Sequence, residues 1–284
     1  MKIDVIYFED ARKMAEVDDE SITLIVTSPP YWNVKDYSLD GYQQKRLTDY
    51  LKGQIGDISD YEKYLYELTE VWKECERVLK PNGKLCINVP LMPILKCKRN
   101  THYIRDIVNI NSGIENEILH KTRLYLMDVF IWNRTNSTKK LMFGSYPYPP
   151  NFYAQNTIEF ISVYVKDGQP EKREEKIKEA SKLTEKEWTE YTKQIWNISI
   201  PNVGDEAYGE HPAIMPLELA IRLIRLYSFV DDIVLDPFMG SGTTAKAARD
   251  YKRHYIGYEI NPKYNSVIKR KLAQLSLFQP QNKE

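Results

Sequence analysis

Cysteine is scarce in this chain: three residues in 284, at Cys75, Cys86 and Cys97, with no CxxC pair among them. That excludes a disulfide framework or a cysteine zinc site and points to reduced thiols, with Cys75 and Cys86 as small core residues. No metal is expected. Nowhere does an apolar run approach the roughly 20 residues of a membrane span. The start, Met1-Lys2-Ile3-Asp4-Val5, reads as a strand and lacks the basic-then-apolar order of a secretory signal. A cytoplasmic protein is the expectation. Net charge is lacking too, with 40 basic against 40 acidic residues. Bulk charge therefore does not advertise a polyanionic partner, and no internal repeat or low-complexity tract stands out.

What is present suits an enzyme. Hydrophobic residues make up 42% and charged residues 28%, the proportions of a globular domain. The length suits a single domain over 1–284 with insertions, or one domain plus a small appendage. Charge is unevenly spread: residues 246–271 carry eight Lys/Arg against two acids, and 95–140 carry nine against four. The first 60 residues compensate with Asp and Glu, so a basic face on a neutral protein is expected, with solvated surface charge as the bland alternative.

Ser21 to Val26 is a short β-branched run that Ser28-Pro29-Pro30 must end, because consecutive prolines remove ladder donors. This loop thus sits at the carboxyl end of a strand, where open α/β sheets bind ligands. Ser59 with Glu62 reads as a capping box. Tyr61, Tyr64, Leu65, Leu68, Val71, Trp72, Cys75, Val78 and Leu79 then recur at helical spacing. Pro81-Asn82-Gly83 reads as a turn and Lys84 to Val89 as the next strand, which completes a β-α-β unit. Met127 to Trp132 and Ile158 to Lys166 are further strands, separated by the aromatic, proline-rich loop Phe143 to Tyr153. Gly168 to Gln194 holds seven basic and seven acidic residues and reads as one or two exposed helices. Pro216 opens a helix striped by Leu219, Leu223, Ile224 and Tyr227. Strand Ile233–Leu235, a glycine loop, helix Ala245–Asp250 and strand His254–Ile260 make a second β-α-β unit.

Two motifs carry chemistry. In Asp236-Pro237-Phe238-Met239-Gly240-Ser241-Gly242-Thr243-Thr244, the glycines let backbone approach a ligand at a helix N-terminus. Glu259 follows Gly242 by seventeen residues, about the offset at which an acid meets ribose hydroxyls. The loop lacks the lysine of a P-loop, and Ala245 fills the third glycine place of a Rossmann fingerprint. Thr27-Ser28-Pro29-Pro30-Tyr31-Trp32 is the second motif. An aromatic amine is a poor nucleophile because its lone pair is delocalised into the ring. Acceptors that hold its protons pull the nitrogen toward a tetrahedral shape. Ser28 Oγ and the Pro29 carbonyl are such acceptors, Pro30 stiffens the loop, and Tyr31 is placed to stack on an extruded base. A plain strand-ending turn is the competing reading, and the glycine motif tells against it.

At these two motifs the chain resembles the AdoMet-dependent amino-DNA methyltransferases, over nearly its whole length. Asp236-Pro237-Phe238-x-Gly240-Ser241-Gly242-Thr243 is similar to their cofactor motif, and Thr27 to Tyr31 to their catalytic motif. The resemblance implies S-adenosyl-L-methionine (AdoMet) as methyl donor, held at these positions and at Glu259. Asp10 falls where the family contacts the cofactor's adenine, although Glu9 replaces the usual glycine. His211-Pro212-Ala213-x-x-Pro216-Leu217 resembles the segment that shapes the methionine pocket. Catalytic motif first and cofactor motif last resembles the circularly permuted β group. That order implies an α/β, Rossmann-like mixed sheet of seven strands, one antiparallel, with small helical insertions. It also implies a catalytic half over 1–166, a cofactor half over 201–284, and a target-recognition insertion over 167–200. Serine in the catalytic motif resembles the N4-cytosine enzymes more than the N6-adenine ones. The partners implied are double-stranded DNA and a separately acting restriction endonuclease, with the enzyme a monomer or homodimer.

Other readings are weaker. RNA and protein methyltransferases with similar loops place the cofactor motif first. Cytosine C5 chemistry needs a thiol after proline, and none is present. A non-catalytic AdoMet-binding DNA module would be marked by loss of Ser28 or Gly240. An NAD oxidoreductase is countered by the catalytic loop.

Overall fold

The computed structural model describes residues 1–32, 53–95, 105–137, 147–150, 154, 156–211 and 213–274. Cys97, Pro212 and most of the Phe143–Tyr153 loop lie outside the described residues.

The strands are β1 (Val5–Tyr7), β2 (Ile22–Thr27), β3 (Leu79–Pro90), β4 (Met92–Leu95), β5 (Arg105–Val108), β6 (Leu124–Arg134), β7 (Ile158–Lys166), β8 (Ile195–Ile198), β9 (Ile233–Asp236) and β10 (His254–Tyr258). The helices are α1 (Tyr61–Val78), α2 (Ile110–Lys121), α3 (Glu175–Ser181), α4 (Glu185–Tyr191), α5 (Leu217–Tyr227), α6 (Thr243–Asp250) and α7 (Asn265–Ala273). Eight strands form one sheet in the order β1-β10-β9-β2-β3-β7-β6-β8, and β4 pairs with β5 apart from it. β7 runs antiparallel to both its neighbours, and every other pairing in the main sheet is parallel. The expected seven-strand mixed sheet is therefore there, extended at one edge by β8. That strand begins just past the charged segment, Gly168 to Gln194, read as helices, and lies within the 167–200 insertion. Its alternation Ile195, Trp196, Asn197, Ile198 spans only four residues, too few for a periodicity reading.

Helix α1 starts one residue later than the Ser59 capping box implies. Asp60 is the cap, its carboxylate accepting the Lys63 amide at 2.8 Å, a stronger acceptor set one place nearer. The Pro81-Asn82-Gly83 turn is absorbed into β3 as an irregularity: pairing jumps from Ile22–Leu79 to Leu24–Lys84, and Asn82 takes φ 61°. Pro216 is the cap of α5 rather than its first residue, and α6 begins at Thr243, two residues early.

Each face of the sheet is covered. Ile25, Leu85, Ile87 and Val89 bury against α1 and α2 with Tyr64, Leu68, Trp72 and Ile114. Leu24, Val26, Cys86, Ile161 and Val163 bury on the other face with Leu219, Leu223 and Ile224 of α5 and Ala247 of α6. Residues two apart on a strand share a face, which sorts β2 and β3 into both cores. Cys75 and Cys86 are buried free thiols as expected, and burial pushes both up in pKa.

The two chain halves interleave. β1 from the amino end pairs with β10 from the carboxyl end, and β2 with β9. The insertion starts at the amino-terminal edge of the sheet, where Arg173 bonds Asp232 at 2.5 Å just ahead of β9 and Val230 N donates to Ser181 Oγ at 2.8 Å. Only through β8 does it climb to the opposite edge. Among the described residues, no helix is long and apolar enough to cross a membrane.

Candidate active site

Parallel β2, β9 and β10 end side by side, which brings the two motifs together at one edge. Asp236 closes β9 and is buried. It accepts from Thr27 Oγ1 at 2.7 Å, Thr244 Oγ1 at 2.7 Å and Phe238 N at 3.0 Å. Burial pushes its carboxyl up to about 6 against the pull of those three donors. Asp236 thus ties the catalytic loop to the glycine loop. Phe238 sets its ring edge-on to Trp72 of α1 at 6.2 Å, and Pro237 separates it from Asp236 in the chain.

The glycine turn depends on its glycines. Gly240 has φ 52° and Gly242 φ 85°, left-handed backbone that other residues adopt at a cost. A Cβ on Gly240 would sit 2.8 Å from His211 Nε2. His211 is half-buried, its ring 4.7 Å from that of Tyr264, and Ala213 N donates to its Nδ1 at 3.2 Å. Burial and then Lys271 hold it down at about 4, so it is a neutral imidazole with its proton on Nε2. Pro216 lies five residues on and caps α5 with its carbonyl, which accepts from Leu219 N at 3.1 Å.

Glu259, just past β10, accepts Gly240 N and Asn261 N, each at 2.8 Å. Burial, helped by the charge of Asp236, pushes its carboxyl up to about 7. Ser241 and Thr243 turn their hydroxyls to Lys271 Nζ, at 3.3 and 3.1 Å, and Lys271 also pairs with Asp205 at 3.0 Å. Each hydroxyl oxygen accepts from Lys271 and keeps its own proton to donate, so the loop offers a ligand these hydroxyls as well as backbone. On the far side, Asp10 is gripped by Arg12, which reaches on to Glu67 of α1. Burial raises the Asp10 carboxyl and Arg12 more than reverses it, leaving it below the usual range.

In the Thr27 to Tyr31 loop, Ser28 Oγ donates to the Asn88 carbonyl at 3.0 Å. A carbonyl cannot donate, so the second contact, 3.2 Å to Tyr31 Oη, is one in which Ser28 accepts. Pro29 is buried, and the Pro30 carbonyl accepts from Tyr64 Oη of α1 at 2.9 Å. Trp32 packs on Tyr61, ring centroids 4.9 Å apart, beneath the loop.

The sequence reading missed Asn88, Tyr64, Arg12 and Lys271. Asn88 carried a faint signal as the one polar residue among Leu85, Cys86, Ile87 and Val89. Tyr64 counted as one apolar residue on a helical face, and nothing local marks Arg12 or Lys271.

A glycine turn at a helix start, a buried acid on the next strand and a proline-stiffened loop beside them define a methyltransferase-type α/β enzyme. The chain belongs to the N6/N4 DNA methylase family, whose model matches residues 22–270. It is 35% identical to the type II methyltransferase M.MjaI of Methanocaldococcus jannaschii, over 96% of this chain and 94% of that one. With M.MthZI of Methanothermobacter thermautotrophicus it shares 29% identity over 95% and 76%. Among solved structures, TTHA0409 of Thermus thermophilus, described as a putative DNA modification methylase and complexed with S-adenosyl-L-methionine, superposes with TM-score 0.71. It is 31% identical, and the match covers 95% of this chain and 97% of that one. PvuII DNA methyltransferase (cytosine-N4-specific) has TM-score 0.68 at 19% identity over 98% and 89%, a likeness of fold.

Proposed function

We propose that this DNA methylase is a circularly permuted, β-group enzyme of a restriction-modification system that methylates the exocyclic N4 of cytosine in double-stranded DNA. The observation that carries the reading is Ser28: its proton is spent on the Asn88 carbonyl, which leaves Oγ an acceptor beside the glycine turn.

The residues fit AdoMet. A turn made possible by Gly240 and Gly242 presents amides at the start of α6, as a carboxylate-bearing or nucleoside ligand needs. Each Glu259 oxygen holds one amide and keeps a further lone pair for ribose hydroxyls. Asp10, steadied by Arg12, is assigned to the adenine, and neutral His211 with Pro216 to the wall of the methionine end. Thr27, Asp236, Pro237, Phe238, Ser241 and Thr243 hold the turn in shape. Bound there, AdoMet would supply an electrophilic methyl carbon on a sulfonium, its neutral thioether departing without an acid while the methylated amine gives up one proton.

The protein's own part is to make the amine nucleophilic. Ser28 Oγ and the Pro29 carbonyl accept the two amino protons and favour a tetrahedral nitrogen, an interaction that strengthens toward the transition state. Tyr31 stacks on the extruded base once its hydroxyl gives up Ser28 to the substrate. A serine hydroxyl is a weaker acceptor than an aspartate, and that difference supports cytosine over adenine. For target recognition we assign the carboxyl end of 167–200, β8 and the loop after it, which reaches the catalytic edge. A restriction endonuclease acting separately, and a monomer or homodimer, complete the reading.

The test is to express the protein in a methylation-free host and map modified bases by single-molecule sequencing. N4-methylcytosine in one short motif is expected. N6-methyladenine would overturn the base assignment, and unmodified DNA from a folded, AdoMet-binding protein would overturn the enzyme reading.

A further inference from the structure

On the α5 face, polar residues at the catalytic edge of four adjacent strands continue columns of apolar ones. Leu24 and Val26, Cys86, Ile161 and Val163, and Phe130 and Trp132 share one core. Two residues further toward the catalytic edge stand Ser28, Asn88, Glu159 and Arg134, which period-2 alternation puts on that same face. The four are linked in a row. Ser28 Oγ donates to the Asn88 carbonyl at 3.0 Å, Asn88 Nδ2 to Glu159 Oε2 at 2.7 Å, and Arg134 Nη1 lies 3.4 Å from Glu159 Oε1. Asn88 is 3% exposed and Glu159 5%. A buried ion pair with an amide beside it is weak support for stability.

The chemistry of the row dictates which way Asn88 faces. A carboxylate only accepts, so the carboxamide must present Nδ2 to Glu159. Its Oδ1 is then turned elsewhere, buried, and without a donor among the described residues. A buried acceptor with no donor is costly and calls for a partner from outside the fold. Ser28 Oγ, on the strand beside it in this row, is an acceptor for the reason already given. The site therefore sets Asn88 Oδ1 as a second side-chain acceptor on the same face as Ser28 Oγ, able to share with it and the Pro29 carbonyl the two protons of an amino group.

We infer that Asn88 Oδ1 is a further hydrogen-bond acceptor for the exocyclic amino group of the target base, and that Glu159 and Arg134 are positioning residues that fix the carboxamide's orientation. This rests on the proposed amino-methylation. It also explains how a serine loop suffices: a second side-chain acceptor adds to the weaker pull of a hydroxyl.

The experiment uses the full chain, S-adenosylhomocysteine, and two duplexes carrying the methylated motif. In one duplex the target base is replaced by its analogue lacking the amino group, 2-pyrimidinone for cytosine or purine for adenine. Wild type is expected to prefer the amino-bearing duplex by about tenfold or more. Asn88→Leu, of similar volume, should cut that preference by about fivefold or more while S-adenosylhomocysteine affinity holds. Glu159→Gln can hydrogen-bond the carboxamide in either orientation, and an intermediate preference is expected. A purely structural role would weaken both duplexes equally, and an unchanged preference in folded Asn88→Leu overturns the inference. Should Asn88→Leu not fold, an unchanged preference in Glu159→Gln does so. A wild type that methylates no DNA would instead overturn the proposed reaction itself.

Discussion

Thr27 and Asp236 lie 209 positions apart and share a 2.7 Å hydrogen bond at the ends of two adjacent strands. Through that bond the catalytic loop and the glycine turn share one buried carboxylate, which also receives Thr244 and the Phe238 amide. Asp236→Ala leaves Thr27 Oγ1 and the Phe238 amide without this acceptor and Thr244 Oγ1 with only the Val26 carbonyl at 3.5 Å, at about 1–3 kcal/mol for each donor that stays dry. We expect a lower melting temperature together with weakened AdoMet binding by calorimetry; unchanged affinity would remove Asp236 from any part in the cofactor site.

Ser28→Ala removes one acceptor and leaves the glycine turn untouched. Turnover should fall about 10²–10³-fold, the usual effect of losing one group that stabilises developing charge. AdoMet affinity should stay within about twofold of wild type. Equal losses in both would show that Ser28 supports the cofactor loop instead.

Gly240→Ala combines a strained φ with a Cβ 2.8 Å from His211 Nε2. The backbone alone costs about 1–2 kcal/mol. AdoMet binding should weaken at least tenfold, and His211→Ala in the same chain should restore part of it by removing the clash. A double variant no better than the single one would assign the whole loss to backbone strain.

Tyr64→Phe deletes only the hydroxyl that holds the Pro30 carbonyl. A loosened loop predicts a several-fold drop in turnover with little change in melting temperature. Full activity would show that proline rigidity suffices.

Glu259 gives a pH signature. Its folded carboxyl titrates at about 7, against 4.5 ordinarily, chiefly through burial. The folded state then binds more protons than the unfolded one between those values, so this group's contribution falls as pH rises from about 4.5 to 7. The full change is on the order of 3 kcal/mol. Glu259→Gln should lose this slope, and melting curves against pH for the two proteins should converge near pH 4.5 and separate by pH 7.5. Parallel curves would contradict a proton uptake at Glu259.

Much of this fold was legible in the sequence because its signals are local. Nine apolar residues at helical spacing marked α1, Pro29-Pro30 had to end β2, and Gly240 with Gly242 marked a turn before a helix. β8 escaped notice because a four-residue strand at a sheet edge has no periodicity of its own. Its place is decided by pairing with β6 and by the Trp132 indole donating to the Ile198 carbonyl at 2.8 Å.

By itself, then, the chain determined the two β-α-β units, the two motif loops and the ends of the strands that carry them. All of these follow from propensity, proline and glycine geometry and apolar spacing within a dozen or so residues. Only tertiary structure decided that Asp236 binds Thr27, that Lys271 takes the hydroxyls of Ser241 and Thr243, and that Arg12 grips Asp10 and Glu67. It alone decided that Ser28 spends its proton on the Asn88 carbonyl and is left an acceptor. A side chain's partner in a buried site is set by which strands end side by side, and strand adjacency in a parallel sheet is a long-range choice.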